Sequence, residues 1–268
     1  MDIDKKYQKL TDCLKDLGSA AVAFSGGADS TLLLKAAADA LGDRTMAVTV
    51  KMGVVPKREL EESARLCALI GVRQEFIEID ELEIEGFKEN PPDRCYFCKK
   101  SVFSQIIDTA HENGLDFVAE GSNTDDLGDH RPGMRAVREL GVKSPLMTAG
   151  LTKDEIRELS ARLGLPTASK PSAACLASRI PYGEEITAEK LKRINQAESF
   201  LRSLGFSQLR VRSHGGIARI EVPSKDIPAA AAMAGEISAR FRTLGFSYAA
   251  LDLSGFRSGS LNEVLDKR

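Results

Sequence analysis

The sequence predicts an α/β protein in which a doubly wound parallel sheet is followed by a smaller C-terminal α+β domain. Between residue 19 and about residue 165, short and nearly uniformly apolar runs alternate with longer amphipathic segments, as expected where helices cover both faces of a parallel sheet. Beyond residue 185 the segments follow the order helix, strand, strand, helix, strand, which is typical of a small α+β domain.

The first domain is predicted to contain four strands and four helices. The apolar runs predict strands at Ser19–Phe24, Thr45–Val50, Gln74–Ile79 and Leu115–Ala119. The amphipathic segments predict helices at Ser30–Ala40, Lys57–Ile70, Cys95–Asn113 and Thr152–Leu163. Thr152 and Glu155 have the spacing of a capping box, and a glycine follows three of the predicted helices, where a left-handed residue often ends a helix.

A domain boundary is predicted where this alternation stops. Residues 170–185, "KPSAACLASRIPYGEE", contain two prolines and no amphipathic period. We therefore expect a first domain of residues 1–170, an active-site loop or linker of residues 171–185 that carries Cys175, and a second domain of residues 186–268. Within the second domain, "FLRSLGFSQLRV" and "RFRTLGFSYAAL" form a weak repeat of helix end, glycine and strand, 40 residues apart.

The composition of the 268-residue chain narrows the function classes. A net charge of −2 and a pI near 6.0 indicate neither a nucleic acid nor a membrane surface as a partner, and no apolar run is long enough to span a membrane. The charged, amphipathic N-terminal segment is unlike a secretory signal, and the five cysteines are an odd number. We therefore expect reduced thiols and a cytoplasmic location.

A glycine-rich loop, "FSGGADS", joins the first predicted strand to the first predicted helix. Helix N–H groups and the helix dipole favour an anion there, and Gly26 and Gly27 let the backbone approach phosphate oxygens. Ser25 and Ser30 add hydroxyl groups, and Asp29 is suited to hold Mg²⁺. The patterns GxxxxGK[ST] and GxGxxG are absent, which excludes those two nucleotide loops. The alternative is an ordinary glycine turn in which Asp29 and Ser30 cap the helix.

Three of the five cysteines lie in surroundings that suit chemistry. Cys95 and Cys98 form a C-x-x-C motif at a predicted helix start, among basic residues, where the thiolate form is favoured. Cys175 lies in the small-residue loop "SAACLASR". Three thiolates suit a [4Fe–4S] cluster with one open iron, and a C-x-x-C pair also suits redox chemistry. A tetrahedral zinc site would lack its fourth ligand. The alternative is that these are unrelated surface or packing cysteines. Cys13 and Cys67 lie within helical patterns and are interpreted as packing residues.

Two strands of the second domain are predicted to share a polar face. In "QLRVRSHGG", Arg210 and Arg212 alternate with apolar residues, and in "IARIEV", Arg219 and Glu221 do the same. A hairpin would gather these side chains on one surface suited to a phosphorylated, carboxylated substrate. The alternative is the solvated outer face of a half-buried sheet.

The loop "SGGADS" resembles the SGGxDS loop of the PP-loop ATP pyrophosphatases, which split ATP between its α and β phosphates and form an adenylate. The resemblance implies that ATP is a cofactor and that pyrophosphate and Mg²⁺ are held by Ser25, Gly26, Gly27, Asp29 and Ser30. The later segment "EGSNTDD" resembles the second nucleotide and metal loop of that superfamily. Further assignments follow from the resemblance: Gly121, Asn123 and Arg179 to the nucleotide, and Asp125 to Mg²⁺.

The segment "KPSAACLASRIPYGEEIT" resembles the signature segment of the ATP-dependent sacrificial sulfur transferases of nickel-pincer cofactor synthesis. With the glycine loop, the C-x-x-C motif and "LRVRSHGGIARIEV", the resemblance covers nearly the whole chain. It implies adenylation of a carboxylate of pyridinium-3,5-biscarboxylic acid mononucleotide, attack by Cys175 and formation of a thiocarboxylate. Members with one relevant cysteine give up its sulfur and retain dehydroalanine. Members with three bind a [4Fe–4S] cluster that carries a sulfide, and Cys95, Cys98 and Cys175 match this type.

The same resemblance implies that the second domain binds the substrate phosphate, at Arg210, Arg212, Arg219 and Glu221, and that the chain forms a homo-oligomer, a hexamer in the family. Two other functions fit the motifs. One is a PP-loop tRNA thiolase with an Fe–S cluster. The net charge of −2 and the lack of an obvious RNA-binding module argue against it. The other is a non-enzymic adenine-nucleotide sensor, which would not need Cys175. The source of the sulfur stays open, and the three histidines, His111, His130 and His214, are too scattered to assign.

Overall fold

The computed structural model describes residues 2–128, 132–171, 174–257 and 259–265, so that His130 lies outside the described residues. The chain divides into two compact units. The first comprises Met1–Ile84 and Asp93–Ala173, and the second comprises Glu85–Pro92 and Ala174–Arg268. Asn90 ties the early segment into the second unit, because its side-chain amide donates to the carbonyl oxygens of Pro181 and Glu184 over 2.7 and 3.0 Å.

The first unit contains a four-stranded, fully parallel sheet in the order β3-β2-β1-β4. Its strands are β1 (Ala20–Ala23), β2 (Thr45–Lys51), β3 (Gln74–Glu78) and β4 (Val118–Ala119). Its helices are α1 (Ile3–Leu17), α2 (Ala28–Leu41), α3 (Lys57–Ile70), α4 (Arg94–Glu112), α5 (Gly133–Glu139), α6 (Pro145–Thr148) and α7 (Lys153–Arg162). The predicted α/β class, with a parallel sheet flanked by helices, is confirmed.

Helices cover both faces of this sheet because its central strands are apolar on both sides. On β1, Ala21 packs with residues of α4 and α5, whereas Val22 packs with residues of α1, α2 and α7. On β2, Met46 and Val48 pack on the same side of the sheet as Ala21, and Ala47 packs on the same side as Val22. Since successive side chains of a strand point to opposite faces, the continuous apolar runs in the sequence give two buried faces.

The strand predicted at Leu115–Ala119 is shortened to two residues. The Leu115 N–H donates to the Ala110 carbonyl and closes the end of α4, and the Asp116 N–H donates to the Ser19 hydroxyl over 3.0 Å. These groups are therefore engaged before the ladder with β1 begins. The sequence analysis also left α5 and α6 unassigned, because helices of four to seven residues have too few turns for a clear apolar period.

The second unit contains a three-stranded sheet in the order β5-β6-β7. Its strands are β5 (Arg210–His214), β6 (Ile217–Glu221) and β7 (Tyr248–Leu251), and its helices are α8 (Ala188–Ser203), α9 (Ile227–Ala232) and α10 (Ala234–Thr243). Strands β5 and β6 pair antiparallel, whereas β6 and β7 pair parallel. The core joins Val211 and Ile220 of the sheet to Leu201 of α8 and Phe241 of α10. None of the helices within the described ranges is both long and apolar enough to cross a membrane.

Candidate active site

The glycine loop joins β1 to α2 at the carboxyl edge of the parallel sheet. Gly27 is the N-cap of α2, and Gly26 has a φ of +69°, in the left-handed region that favours glycine. The Ser25 hydroxyl lies 3.1 Å from the Ser30 hydroxyl, and the Gly27 N–H donates to Ser25 Oγ over 3.4 Å. Because the first amides of an α-helix have no acceptor within the helix, this end of α2 presents N–H donors beside two hydroxyl groups. Such an arrangement can bind an anion.

The segment of residues 120–126 lies against the glycine loop because β4 is paired with β1. Gly121 makes the close approach: a Cβ atom there would lie 3.1 Å from the backbone N of Ser30 and 3.3 Å from the Cβ of Asp29. Asn123 Nδ2 donates to Asp29 Oδ1 over 3.3 Å. The two segments that the sequence analysis assigned to the nucleotide are therefore adjacent.

Lys153 supplies a cation to the glycine loop, which has none of its own. Its ammonium group forms an ion pair with Asp29, and its backbone N–H donates to Asp125 Oδ2 over 2.8 Å. Lys153 is the first residue of α7, where the predicted capping box is present: the Glu155 N–H donates to the Thr152 hydroxyl, and the Thr152 N–H donates to the Glu155 carboxylate. The sequence analysis did not assign Lys153. Its only local signal was its position directly after the helix cap.

The oxygen atoms near the glycine loop suit Mg²⁺ in type. They are the Asp29 carboxylate and the hydroxyl groups of Ser25 and Ser30, which are hard ligands. Asp125 is exposed, and one of its carboxylate oxygens already caps α7. Among the residues that the structure describes, no three His, Cys, Asp or Glu side chains lie close enough together to hold a metal ion. The protein therefore offers Mg²⁺ a partial set of ligands, of the kind that nucleotide phosphates complete.

A buried carboxylate lies at the end of β4. Glu120 is 5% exposed and accepts hydrogen bonds from Ser122 Oγ over 2.7 Å and from Ser144 Oγ over 2.5 Å. The Lys99 ammonium group lies 4.0 Å from the same carboxylate and directly follows Cys98 in the chain. These donors compensate the burial of the charge. Lys99 was noted from the sequence only as a basic residue beside the C-x-x-C motif, and its contact with Glu120 was not predicted because the two positions are 21 residues apart in the chain.

Cys95 and Cys98 lie in the first turns of α4, at the helix start that the sequence predicted. Neither cysteine forms a disulfide, and Cys95 is exposed whereas Cys98 is half-buried. Tyr96 holds this turn against α5, because its hydroxyl donates to Glu139 over 2.7 Å and the Arg135 guanidinium stacks on its ring at 3.6 Å. Two accessible thiols one turn apart are soft donors of the type that an Fe–S cluster uses.

The other two cysteines of the first unit have thiol pKa values that burial raises. Cys67 is 2% exposed within the apolar cluster below the glycine loop, and burial raises the pKa of its thiol to about 12. The half-buried Cys13 also has a raised pKa, first because of burial and then because of Asp16. Both thiols are therefore protonated near neutral pH, in agreement with packing roles.

Cys175 belongs to the second unit and directly precedes a short 3₁₀ turn, with its side chain exposed. Arg179 supports this loop, because its guanidinium donates to the Cys175 carbonyl oxygen over 3.3 Å and pairs with Glu198 of α8 over 2.7 Å. Burial alone would raise the pKa of Glu198, but Arg179 and Arg202 hold it below its ordinary value. Arg179 thus supports the backbone of the cysteine loop. The assignment of Arg179 to the nucleotide stays a prediction.

The predicted polar face of β5 and β6 is present, and its centre is buried. Arg212, 2% exposed, donates to both carboxylate oxygens of Glu221 over 2.9 and 3.1 Å, and Arg219 donates to the same carboxylate over 3.1 Å. Arg212 also donates to Ser260 Oγ over 2.6 Å. Arg210 lies opposite Glu221 in the ladder, and burial, followed by two neighbouring arginines, lowers its pKa to about 10. The four predicted residues lie together, and their role in binding stays a prediction.

Comparisons with known proteins find a matching family model for part of the chain and relatives that align over nearly all of it. Residues 19–88 match the family model described as queuosine biosynthesis protein QueC. The chain is 42% identical over 267 residues to an uncharacterized protein of Synechocystis sp., which covers 99% of this chain and 100% of the relative. It is 39% identical over 263 residues to the pyridinium-3,5-bisthiocarboxylic acid mononucleotide synthase of Lactiplantibacillus plantarum, covering 98% of this chain and 95% of the relative. An uncharacterized protein of Methanocaldococcus jannaschii is 30% identical over 257 residues, with 95% and 98% covered.

Proposed function

The chain belongs to the family of the pyridinium-3,5-bisthiocarboxylic acid mononucleotide synthase, and from this premise we propose that it inserts sulfur into a pyridinium carboxylic acid mononucleotide in an ATP-dependent reaction. This reaction is the sulfur-insertion step of nickel-pincer cofactor synthesis. The observation that carries the proposal is that one chain contains both a glycine loop, whose acidic residue Asp29 contacts Lys153 and Asn123, and an exposed cysteine, Cys175.

The first step activates a carboxylate of the substrate. A carboxylate resists nucleophiles until one of its oxygens becomes part of a leaving group. Here that oxygen attacks the α-phosphorus of ATP, pyrophosphate leaves, and the acyl adenylate forms. The N–H groups at the start of α2 and the hydroxyls of Ser25 and Ser30 bind the departing pyrophosphate, and Lys153 balances its charge. Mg²⁺ bound at Asp29 would supply further charge neutralisation for the phosphates.

The second step transfers sulfur. The Cys175 thiolate attacks the acyl carbon, AMP leaves, and a thioester to the protein forms. Removal of the Cα proton of Cys175 then breaks its Cβ–S bond, which leaves the thiocarboxylate on the product and dehydroalanine in the chain. Cys95, Cys98 and Cys175 are the donors that would hold a [4Fe–4S] cluster, which would supply a sulfide as sulfur source and spare Cys175.

The arginine face of β5 and β6 is the proposed site of the substrate phosphate. Arg210 and Arg219 each retain some exposure, whereas Arg212 is enclosed and fixes Glu221 between them. A guanidinium group binds phosphate through paired N–H donors, and the neighbouring strands hold three such groups on one face. We further propose a homo-oligomer and a cytoplasmic location, which the family resemblance and the reduced thiols favour.

The proposed function is tested by one anaerobic assay on the purified full chain with ATP, Mg²⁺ and pyridinium-3,5-biscarboxylic acid mononucleotide. Release of pyrophosphate together with a thiocarboxylate product, both identified by mass spectrometry, is the expected result. Protein that has lost the mass of H₂S at Cys175 would assign the sulfur to the cysteine. Retained cysteine with iron bound to the protein, and iron lost in a Cys95→Ala variant, would assign it to the cluster. Pyrophosphate release without any sulfur-containing product would contradict the proposal.

A further inference from the structure

Lys170 binds the back of the glycine loop. Its ammonium group donates to the Gly26 carbonyl oxygen over 3.0 Å and pairs with Glu59 and Glu62 at 2.8 and 2.9 Å. Both glutamates lie on α3, and the Lys170 side chain is 14% exposed. No step of the proposed reaction uses this lysine. Because two carboxylates already engage its ammonium group, Lys170 is poorly suited to be a phosphate ligand itself.

The contact with Gly26 sets the direction of a backbone donor in the loop. A trans peptide is planar, so the C=O of Gly26 and the N–H of Gly27 point in opposite directions. Lys170 binds the carbonyl group, and the Gly27 N–H therefore faces away from the lysine. On that side it donates to Ser25 Oγ over 3.4 Å, and the Ser30 hydroxyl lies 3.1 Å from the same oxygen. This is the side on which the loop presents its hydroxyl groups.

The loop needs such an external restraint because its two central residues are glycines. Gly26 adopts a φ of +69°, and a glycine has no Cβ to disfavour rotation of its peptide into other orientations. An anion bound to an undirected peptide would first have to order it, which weakens binding. The ion pairs with Glu59 and Glu62 in turn hold the Lys170 ammonium group in place. The result is a preorganised N–H donor.

We propose that Lys170 is a positioning residue that keeps the Gly27 N–H directed at the bound pyrophosphate. The inference rests on the proposed function only for the identity of the anion.

Binding of Mg²⁺-pyrophosphate to the full chain, measured by calorimetry, tests this role. The variants are Lys170→Met, Lys170→Arg and, as a matched control, Lys6→Met. Lys6 pairs with Glu155 at 2.7 Å and is 15% exposed, so that its loss removes an ion pair of similar burial on α1. We expect Lys170→Met to bind pyrophosphate about tenfold or more weakly, because a directed hydrogen bond to a charged group is lost. Lys170→Arg should retain more affinity, and Lys6→Met should bind like the wild type.

Thermal unfolding of the same samples separates positioning from stability. Both methionine variants should unfold at lower temperature, and only Lys170→Met should lose affinity. Wild-type affinity in folded Lys170→Met, or an equal loss in Lys6→Met, would overturn the inference. If Lys170→Met does not fold, Glu62→Gln, which loosens the same ammonium group, must weaken binding for the inference to stand. If the wild type and the variants show the expected relative affinities for pyrophosphate but the wild type forms no thiocarboxylate, the proposed function is contradicted and the positioning role is intact.

Discussion

The glycine loop of the first unit and the arginine face of the second unit both suit phosphate groups, but they are built from opposite materials. The loop offers the backbone N–H groups at the start of α2 together with hydroxyl groups, one of which belongs to the exposed Ser25. The face offers guanidinium groups that are already paired with Glu221, of which the side chain is 0% exposed. An anion at the loop would bind the first amides of α2, which have no acceptor within the helix, whereas an anion at the face has to compete with a carboxylate.

This difference predicts how the two regions respond to substitution. The loop depends on close backbone approach, so that a small displacement changes its function while the fold persists. The face depends on buried charges that neutralise each other, so that removal of one charge leaves another uncompensated. Substitutions in the loop should therefore act on the rate of ATP cleavage, and substitutions in the face should act on stability and on affinity for the mononucleotide.

The largest effect on the rate is expected for Gly121→Ala. The added Cβ would meet the backbone N of Ser30 at 3.1 Å, so the first turn of α2 has to move. A displacement of this kind lowers the rate of pyrophosphate release about 100-fold, because the reacting groups lose their alignment. Steady-state release of pyrophosphate checks this. Gly235→Ala is the matched control, because a Cβ there meets no atom within 4 Å. Equal rates in the two variants would contradict the close approach.

A smaller effect on catalysis, but a large one on stability, is expected for Arg212→Ala. Its loss strips Glu221 of a buried partner and should lower the free energy of unfolding by about 3–5 kcal/mol. Folded protein should bind the mononucleotide substrate more weakly and bind Mg²⁺-pyrophosphate as before. Urea unfolding and calorimetry measure the two effects. Arg219→Ala, which removes a 33% exposed side chain, should destabilise less. Unchanged affinity of folded Arg212→Ala for the substrate would exclude this face as its site.

These contrasts also explain what the sequence could predict. Helix α3 was predicted with the bounds Lys57–Ile70 that it has in the structure, because its proline, its apolar period and its terminal glycine are all local signals. The glycine loop was identified from its local motif, and its neighbour at residues 120–126 was identified from its resemblance to a known nucleotide loop. The parallel order of β1 and β4 then brings the two segments together.

The missed residues share one property: their partners are distant in the chain. Lys153 contacts Asp29 across 124 positions, and Lys170 contacts Gly26 across 144. No spacing rule connects such pairs, because the fold alone makes them neighbours. The glycine loop "FSGGADS" contains no lysine, and the fold brings one lysine to each side of it. Burial of Arg212 was equally invisible, because period two gives the face of a strand but not what covers it.

Glu198→Gln is expected to change how the stability of the protein depends on pH. The pKa of Glu198 is held below its ordinary value in the folded protein by Arg179 and Arg202, against the opposing effect of burial. A group with a lowered folded pKa stabilises the protein above its unfolded pKa, about 4.3, and this stabilisation is lost as the pH falls through the folded value. Urea unfolding from pH 7 to pH 3 should therefore show a shallower loss of stability in Glu198→Gln than in the wild type. Parallel curves would contradict the assigned charge.

In the proposed reaction, activation of the carboxylate and transfer of sulfur are separate steps, and only the second needs Cys175. The most direct measurement is an anaerobic single turnover of the wild type and of Cys175→Ala with ATP, Mg²⁺ and pyridinium-3,5-biscarboxylic acid mononucleotide, followed by quantification of pyrophosphate and thiocarboxylate. We expect both proteins to release pyrophosphate and only the wild type to form the thiocarboxylate. Thiocarboxylate formation by Cys175→Ala, or failure of the wild type to release pyrophosphate, would contradict the account.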